Sequence, residues 1–276
     1  MTIVRGRHVV VTGGSEGIGE AVAETARRRG ARVSIIARRS DVLREAAARI
    51  GPGVAYATAD VADAEQLGDA ITKLEAEHGP TDVMVANAGY AQPATFLDTS
   101  LEEFTRQMSV NYLGAVNAIR AVLPEMIARR SGHLVLVSST AGLIGVYGYS
   151  AYSATKFAVR GLAESLRSEV HPFGVMVSVA YPPDTETPGF RMERRTKPPE
   201  TARISGAITP RSADVVAAAI VDGIERDRFA ITAEAATATL VRGAGILGPL
   251  IRRRMDHDVR QVQRDHDDRQ RRWWSR

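Results

Sequence analysis

The chain of 276 residues contains no cysteine. That absence excludes disulfides, thiolate zinc sites and cysteine nucleophiles, and it suits a reducing compartment. No metal site is expected. The opening run Met1-Thr2-Ile3-Val4-Arg5-Gly6-Arg7 lacks the basic-then-apolar order of a signal peptide, so the expected location is the cytoplasm. Repeats and low-complexity tracts are absent as well. The body also lacks net charge: the formal total is +4, yet residues 252–276 hold nine Arg and five Asp, which leaves the preceding 251 residues balanced at zero. A neutral body argues against a nucleic-acid-binding domain, which concentrates positive charge on its folded surface. An Arg-rich tail interleaved with Asp reads as a solvated helix or a frayed end.

What is present is a hydrophobic content of 44%, enough to build the core of one α/β domain. Short β-branched runs at His8-Thr12, Arg32-Ala37, Val54-Ala59, Asp82-Ala86, His133-Ser138 and Val175-Ala180 alternate with amphipathic stretches. This pattern predicts a single Rossmann-type doubly wound parallel sheet with helices on both faces. A seventh strand is expected at Arg228-Thr232, after a helix over Ser212-Asp227. Between Tyr181 and Pro210 the alternation lapses, and the segment at about 182–210 reads as a substrate lid beyond a strand's carboxyl end. Residues 1–233 are expected to form the main domain, and residues 234–276 a partly apolar, then Arg-rich extension.

Gly13, Gly17 and Gly19 follow the first strand and open a helix at Ile18, supplying a tight turn, close backbone approach to phosphate and a helix N-terminus. Ser15 adds a hydroxyl. The spacing differs from G-x-G-x-x-G, and a plain strand-to-helix connection is the alternative. A NAD-preferring site places an acid at the end of the second strand, whereas here Ala37 is followed by Arg38 and Arg39. Two guanidiniums suit the 2′-phosphate of NADP; the alternative is a pair of surface arginines before a helix capped by Ser40 or Asp41. Asp60-Val61 closes the third strand, where a carboxylate can meet the adenine amino group. Asn87-Ala88-Gly89 closes the fourth, where small residues admit the cofactor.

Tyr152 and Lys156 are four residues apart, thirteen and more residues after Ser139. On a helix both side chains share one face, so the ammonium can lower the phenol's pKa and make it a usable acid. Taken singly, these are as well read as a capping serine, a core tyrosine and, at Asn111, a buried polar asparagine. With Thr-Gly-x-x-x-Gly-x-Gly, Asn-Ala-Gly, Asn111, Ser139 and Tyr-x-x-x-Lys in order, residues 6–233 resemble the short-chain dehydrogenase/reductase family. That resemblance implies that Ser139 positions a substrate carbonyl, Tyr152 protonates its oxygen, Lys156 holds the nicotinamide ribose and Asn111 supports a proton-carrying water. It also implies pairing of the helices around Asn111 and Tyr152 with those of other subunits, as a homodimer or homotetramer.

The run Tyr181-Pro182-Pro183-Asp184-Thr185-Glu186-Thr187-Pro188-Gly189-Phe190 is more closely similar to the 3-ketodihydrosphingosine reductases, as are Val110-Asn111-Tyr112-Leu113-Gly114 and Arg195-Thr196-Lys197-Pro198-Pro199. The resemblance implies cofactor contacts at Pro182 and Thr185 and NADPH-dependent reduction of a long-chain keto amine made from an acyl chain and serine. The leading hydrophobic segment of eukaryotic members does not open this chain. The alternatives are reduction of another apolar ketone (a steroid, β-ketoacyl or xenobiotic compound) and a non-catalytic NADP-sensing or interaction module. In the extension, Leu240, Ala244, Leu247 and Ile251 can form one helical face before Arg252-Arg253-Arg254. Its glycines and Pro249 argue against a bilayer span, and the expected roles are peripheral membrane contact, a cover for the cleft or an oligomer contact. Trp273-Trp274 reads as a disordered end or an interfacial anchor.

Overall fold

The computed structural model describes residues 2–206 and 208–274, with side chains described through residue 265. Nine strands and ten α-helices are described: β1 His8–Thr12, α1 Gly17–Arg28, β2 Arg32–Ala37, α2 Ser40–Ile50, β3 Ala55–Thr58, α3 Ala64–His78, β4 Val83–Ala86, α4 Leu101–Met108, α5 Gly114–Ala128, β5 Gly132–Val137, α6 Ser150–Val170, β6 Val175–Ala180, β7 Thr185–Glu186, α7 Pro188–Thr196, α8 Pro199–Ser205, β8 Arg211–Ser212, α9 Ala213–Glu225, β9 Ala230–Ile231 and α10 Ala235–Trp274. The sheet order is β3-β2-β1-β4-β5-β6-β9, with every pair parallel. This is the doubly wound arrangement, and its order reverses between β1 and β4. In open sheets of this kind, ligands bind at that point, beyond the strands' carboxyl ends.

Alternation along the strands builds two cores. Val10 of β1 packs with Leu67, Ile119 and Val159 on one face, while Val9 and Val11 pack with Val22, Leu43 and Val221 on the other. Both faces are apolar because both are covered by helices.

Strand ends are shorter than the sequence suggests. Asp82 falls outside β4 because its carboxylate accepts the His8 N–H at 2.9 Å and pairs with Arg7. Ser138 ends outside β5, and the edge strand β9 pairs through two residues. Arg228 is drawn away from β9, its N–H closing the end of α9 on Gly223 O at 2.9 Å and its carbonyl accepting from Ser178 Oγ at 2.7 Å.

The lid segment is more regular than its irregular sequence pattern implies. Thr187 caps α7 by accepting the Phe190 N–H at 3.0 Å, and Pro188 and Pro199 open α7 and α8, where a missing N–H costs nothing. The short β7–β8 pair closes the base of the segment. The long α10 packs along α8, and Leu240 reaches the main core. Ala244, Leu247 and Ile251 are half-buried, so the apolar stripe read from the sequence is partly turned toward the protein; among the described residues of α10, the large apolar side chains of Ile246 and Leu250 are turned outward, 84% and 61% exposed. The side chains of Trp273 and Trp274 lie outside the described residues. Among the described residues, no helix is long and apolar enough to cross a membrane.

Candidate active site

The crevice at the sheet's switch point is stitched by Thr12 and Asn87. Thr12 Oγ1 accepts the N–H groups of Asn87 and Ala88 at 3.1 and 3.2 Å, while Asn87 Nδ2 donates to Thr12 O at 3.0 Å and Gly13 O at 3.3 Å. Gly13 has φ +68°, and a Cβ there would lie 2.9 Å from Ala88 Cα. Only glycine fits this turn. The turn delivers the chain to the N-terminus of α1, with Ser15 buried and Ile18 half-buried beside Gly19. Thr187 of the lid lies against this loop, where a Cβ on Gly17 would meet its Cγ2 at 3.0 Å. A bare glycine cradle ending in a helix N-terminus fits a dinucleotide pyrophosphate.

Beyond the carboxyl ends of β2 and β3, Arg38 and Asp60 approach to 3.8 Å, and Arg39 pairs with Glu16 of the glycine loop at 2.6 Å. Both guanidiniums remain more than half exposed, at 53% and 61%. Val61 is buried, and its carbonyl accepts from Asn117 Nδ2 at 2.9 Å. Pro182 is buried, with its carbonyl accepting the Thr140 N–H at 3.1 Å. Thr185 is buried too, and its hydroxyl donates to Pro183 O at 2.7 Å.

Four elements bring Ser139, Tyr152, Lys156 and Asn111 together. Ser139 follows β5 and accepts the Ala141 N–H at 3.2 Å, which fixes its side chain at the start of a short turn. Tyr152 and Lys156 share one face of α6, with Lys156 Nζ 5.6 Å from the phenol ring centre. Lys156 is buried and donates to Val137 O at 2.9 Å; burial pushes its pKa down to about 8. A Cβ on Gly89 would lie 3.4 Å from Lys156 Nζ and 3.0 Å from Asn111 Oδ1, so the bare glycine lets the fourth strand's end meet both residues.

Asn111 lies in a π-turn, Ser109–Leu113, between α4 and α5. A single wide turn of this kind inside an α-helix often marks a functional position. Its Oδ1 accepts the Tyr90 N–H at 2.9 Å, and its Nδ2 donates to Tyr90 O at 2.9 Å and to Thr155 Oγ1 at 3.1 Å.

The Tyr152 pKa is raised in the chain alone. Burial raises it most, Glu193 and Asp184 of the lid raise it further, and the Ser139 hydroxyl pulls it down. The two carboxylates belong to a cluster that sequence reasoning missed. Tyr149 donates to Glu193 Oε1 at 2.5 Å, and Lys197 Nζ lies 3.2 Å from Glu193 Oε1 and 3.9 Å from Asp184 Oδ2. The Tyr149 and Tyr152 rings are 5.8 Å apart. The available signal was the i, i+4 spacing of Glu193 and Lys197 in a stretch that read as merely charged.

A model of the short chain dehydrogenase family matches residues 7–198. The chain belongs to that family. It is 44% identical over 232 residues to a bovine 3-ketodihydrosphingosine reductase, covering 81% of this chain and 70% of that protein. It is 43% identical over 210 residues to a zebrafish 3-dehydrosphinganine reductase, covering 73% of this chain and 63% of that protein. Among solved structures, a levodione reductase superposes with a TM-score of 0.75 at 25% identity, over 83% of this chain and 96% of that one. As a member of the family the chain is an oxidoreductase that uses a nicotinamide cofactor.

Proposed function

We propose that the chain reduces 3-ketosphinganine to sphinganine with NADPH. The observation that carries this reading is the convergence of Ser139, Tyr152, Lys156 and Asn111 in a chain 44% identical to a protein named for that reaction. When bound, the reduced nicotinamide supplies the hydride. Tyr152 then gives its phenolic proton to the carbonyl oxygen, and the Ser139 hydroxyl donates a hydrogen bond to that same oxygen, where negative charge develops. Lys156 has spare N–H donors beyond its bond to Val137 O; they hold a ribose hydroxyl and stabilise the phenolate. Asn111 positions the water that returns the proton.

Gly13, Ser15, Gly17, Ile18 and Gly19 hold the pyrophosphate in this reading. Asp60 and Val61 take the adenine, and Asn87, Ala88, Gly89, Pro182 and Thr185 take the nicotinamide side. Arg38 and Arg39 exchange their exposed carboxylate partners for the 2′-phosphate, a stronger anion presented to two guanidiniums. Residues 1–233 form the catalytic unit and 234–276 its extension. Leu113 and Phe157, 45% and 41% exposed on the helices around the site, suit a subunit contact in a homodimer or homotetramer. Exposed Ile246 and Leu250 ahead of Arg252-Arg253-Arg254 suit peripheral contact with an anionic bilayer, where a lipid ketone resides. Turnover across a panel of ketones tests the reading, with long-chain keto amine set against steroid and β-ketoacyl substrates.

A further inference from the structure

Lysine is rare in this chain. Of 36 basic side chains, three are lysines, at positions 73, 156 and 197. One of these three, Lys156, stands beside Tyr152 on its own helix; a second, Lys197, lies in the lid cluster beside Tyr149, with its side chain 4% exposed. Lys197 is held as a primary ammonium in a defined cage. Glu193 lies at 3.2 Å and Asp184 at 3.9 Å, and the rings of Phe190 and Tyr149 have their centres at 4.7 and 5.7 Å. Carboxylates and aromatic faces together are the surroundings that stabilise a desolvated ammonium.

The cage holds two carboxylates and one ammonium. The neighbouring Glu234 is matched by Arg211 at 2.8 Å, and Arg194, exposed on α7 with its guanidinium 6.0 Å from the Phe190 ring centre, adds a weaker positive charge toward Asp184. Even with Lys197 and Arg194 near, burial leaves the Asp184 and Glu193 carboxyls raised, so the pair that faces the phenol from the lid is short of positive charge. For a neutral ketone this is unfavourable, because Tyr152 must become a phenolate as it gives up its proton, and both carboxylates oppose that change.

We propose that Asp184 and Glu193 make the site selective for a ketone bearing an ammonium on the carbon next to its carbonyl. This rests on the reading of the substrate as a keto amine. In this proposal the ketone binds with its oxygen at Ser139 and Tyr152 and its amine-bearing side turned to the lid, where the ammonium shares the two carboxylates with Lys197. The substrate then brings the positive charge that the phenolate needs, and a ketone without the amine leaves the carboxylates uncompensated. Asp184 and Glu193 are specificity residues acting through substrate charge; the proton still comes from Tyr152.

The test compares 3-ketosphinganine with the same long-chain hydroxyketone lacking the amine, as kcat/KM ratios in the full-length enzyme. The parent should favour the amine by at least about tenfold. Asp184→Asn and Glu193→Gln should each reduce that ratio severalfold, with NADPH binding confirming folded protein. Equal rates on both ketones in the parent would overturn the inference while leaving long-chain ketone reduction in place. A variant ratio equal to the parent's, with both rates lowered together, would also overturn it, as a merely structural role. Turnover of neither ketone, with turnover of a steroid or β-ketoacyl compound, would instead sink the substrate reading itself.

Discussion

Asn111 is tied to Thr155, its Nδ2 donating to Oγ1 at 3.1 Å, and Thr155 in turn donates to Tyr152 O at 2.7 Å. The wide turn of the middle helix is thereby fastened to the catalytic helix between its tyrosine and its lysine. Asn111→Ala breaks that link and strips both hydrogen bonds from the Tyr90 backbone. Leaving such buried groups unpaired costs about 1–3 kcal/mol. Chemical denaturation should show that loss, and turnover should fall with it.

Tyr152→Phe keeps the ring and removes the hydroxyl proposed as the proton donor. General acid catalysis contributes about a hundredfold to ten-thousandfold, so kcat should fall within that range. NADPH affinity, followed by fluorescence titration, should stay close to the parent's. Full turnover in this variant would remove Tyr152 from the acid role.

Coenzyme choice depends on exposed charge. Arg38→Glu would replace the proposed partner of the 2′-phosphate with a repelling group beside Asp60, 3.8 Å from the native guanidinium. The NADPH KM should rise at least about tenfold, a loss of roughly 1.4 kcal/mol, while NADH use is kept or improved. Steady-state kinetics with both coenzymes measures this directly.

The sheet was legible because its strands are apolar on both faces, and β1, β2 and β6 match the sequence reading end to end. The glycine turn and the Tyr152/Lys156 pair were legible because their chemistry is carried by local spacing. The lid's helices were hidden behind prolines, which look like breakers until Thr187 and the N1 positions of Pro188 and Pro199 are seen to start helices. The π-turn at Asn111 leaves no mark in hydrophobic periodicity. The Asp184, Glu193 and Lys197 cluster was hidden because its contact with Tyr149 and its effect on Tyr152 depend on tertiary folding of α7 against α6.

His133, fully buried on β5, gives the protein a pH limit unrelated to catalysis. Burial lowers its pKa from 6.5 to about 4, against a smaller opposing pull from Asp227. Between those values the unfolded ring takes a proton that the folded ring refuses, so the unfolded state binds more protons and stability falls as pH falls. The full loss across the window is about 3 kcal/mol. His133→Gln should flatten this dependence in denaturant midpoints measured from neutral pH down to the folded pKa, even if it lowers stability at neutral pH.

The most direct test of the central claim is incubation of the purified chain with NADPH and 3-ketosphinganine, following cofactor absorbance and product mass together. The expected result is stoichiometric oxidation of NADPH with formation of sphinganine, abolished or reduced at least about a hundredfold in Tyr152→Phe. Absence of sphinganine from an enzyme that reduces another ketone would contradict the assignment.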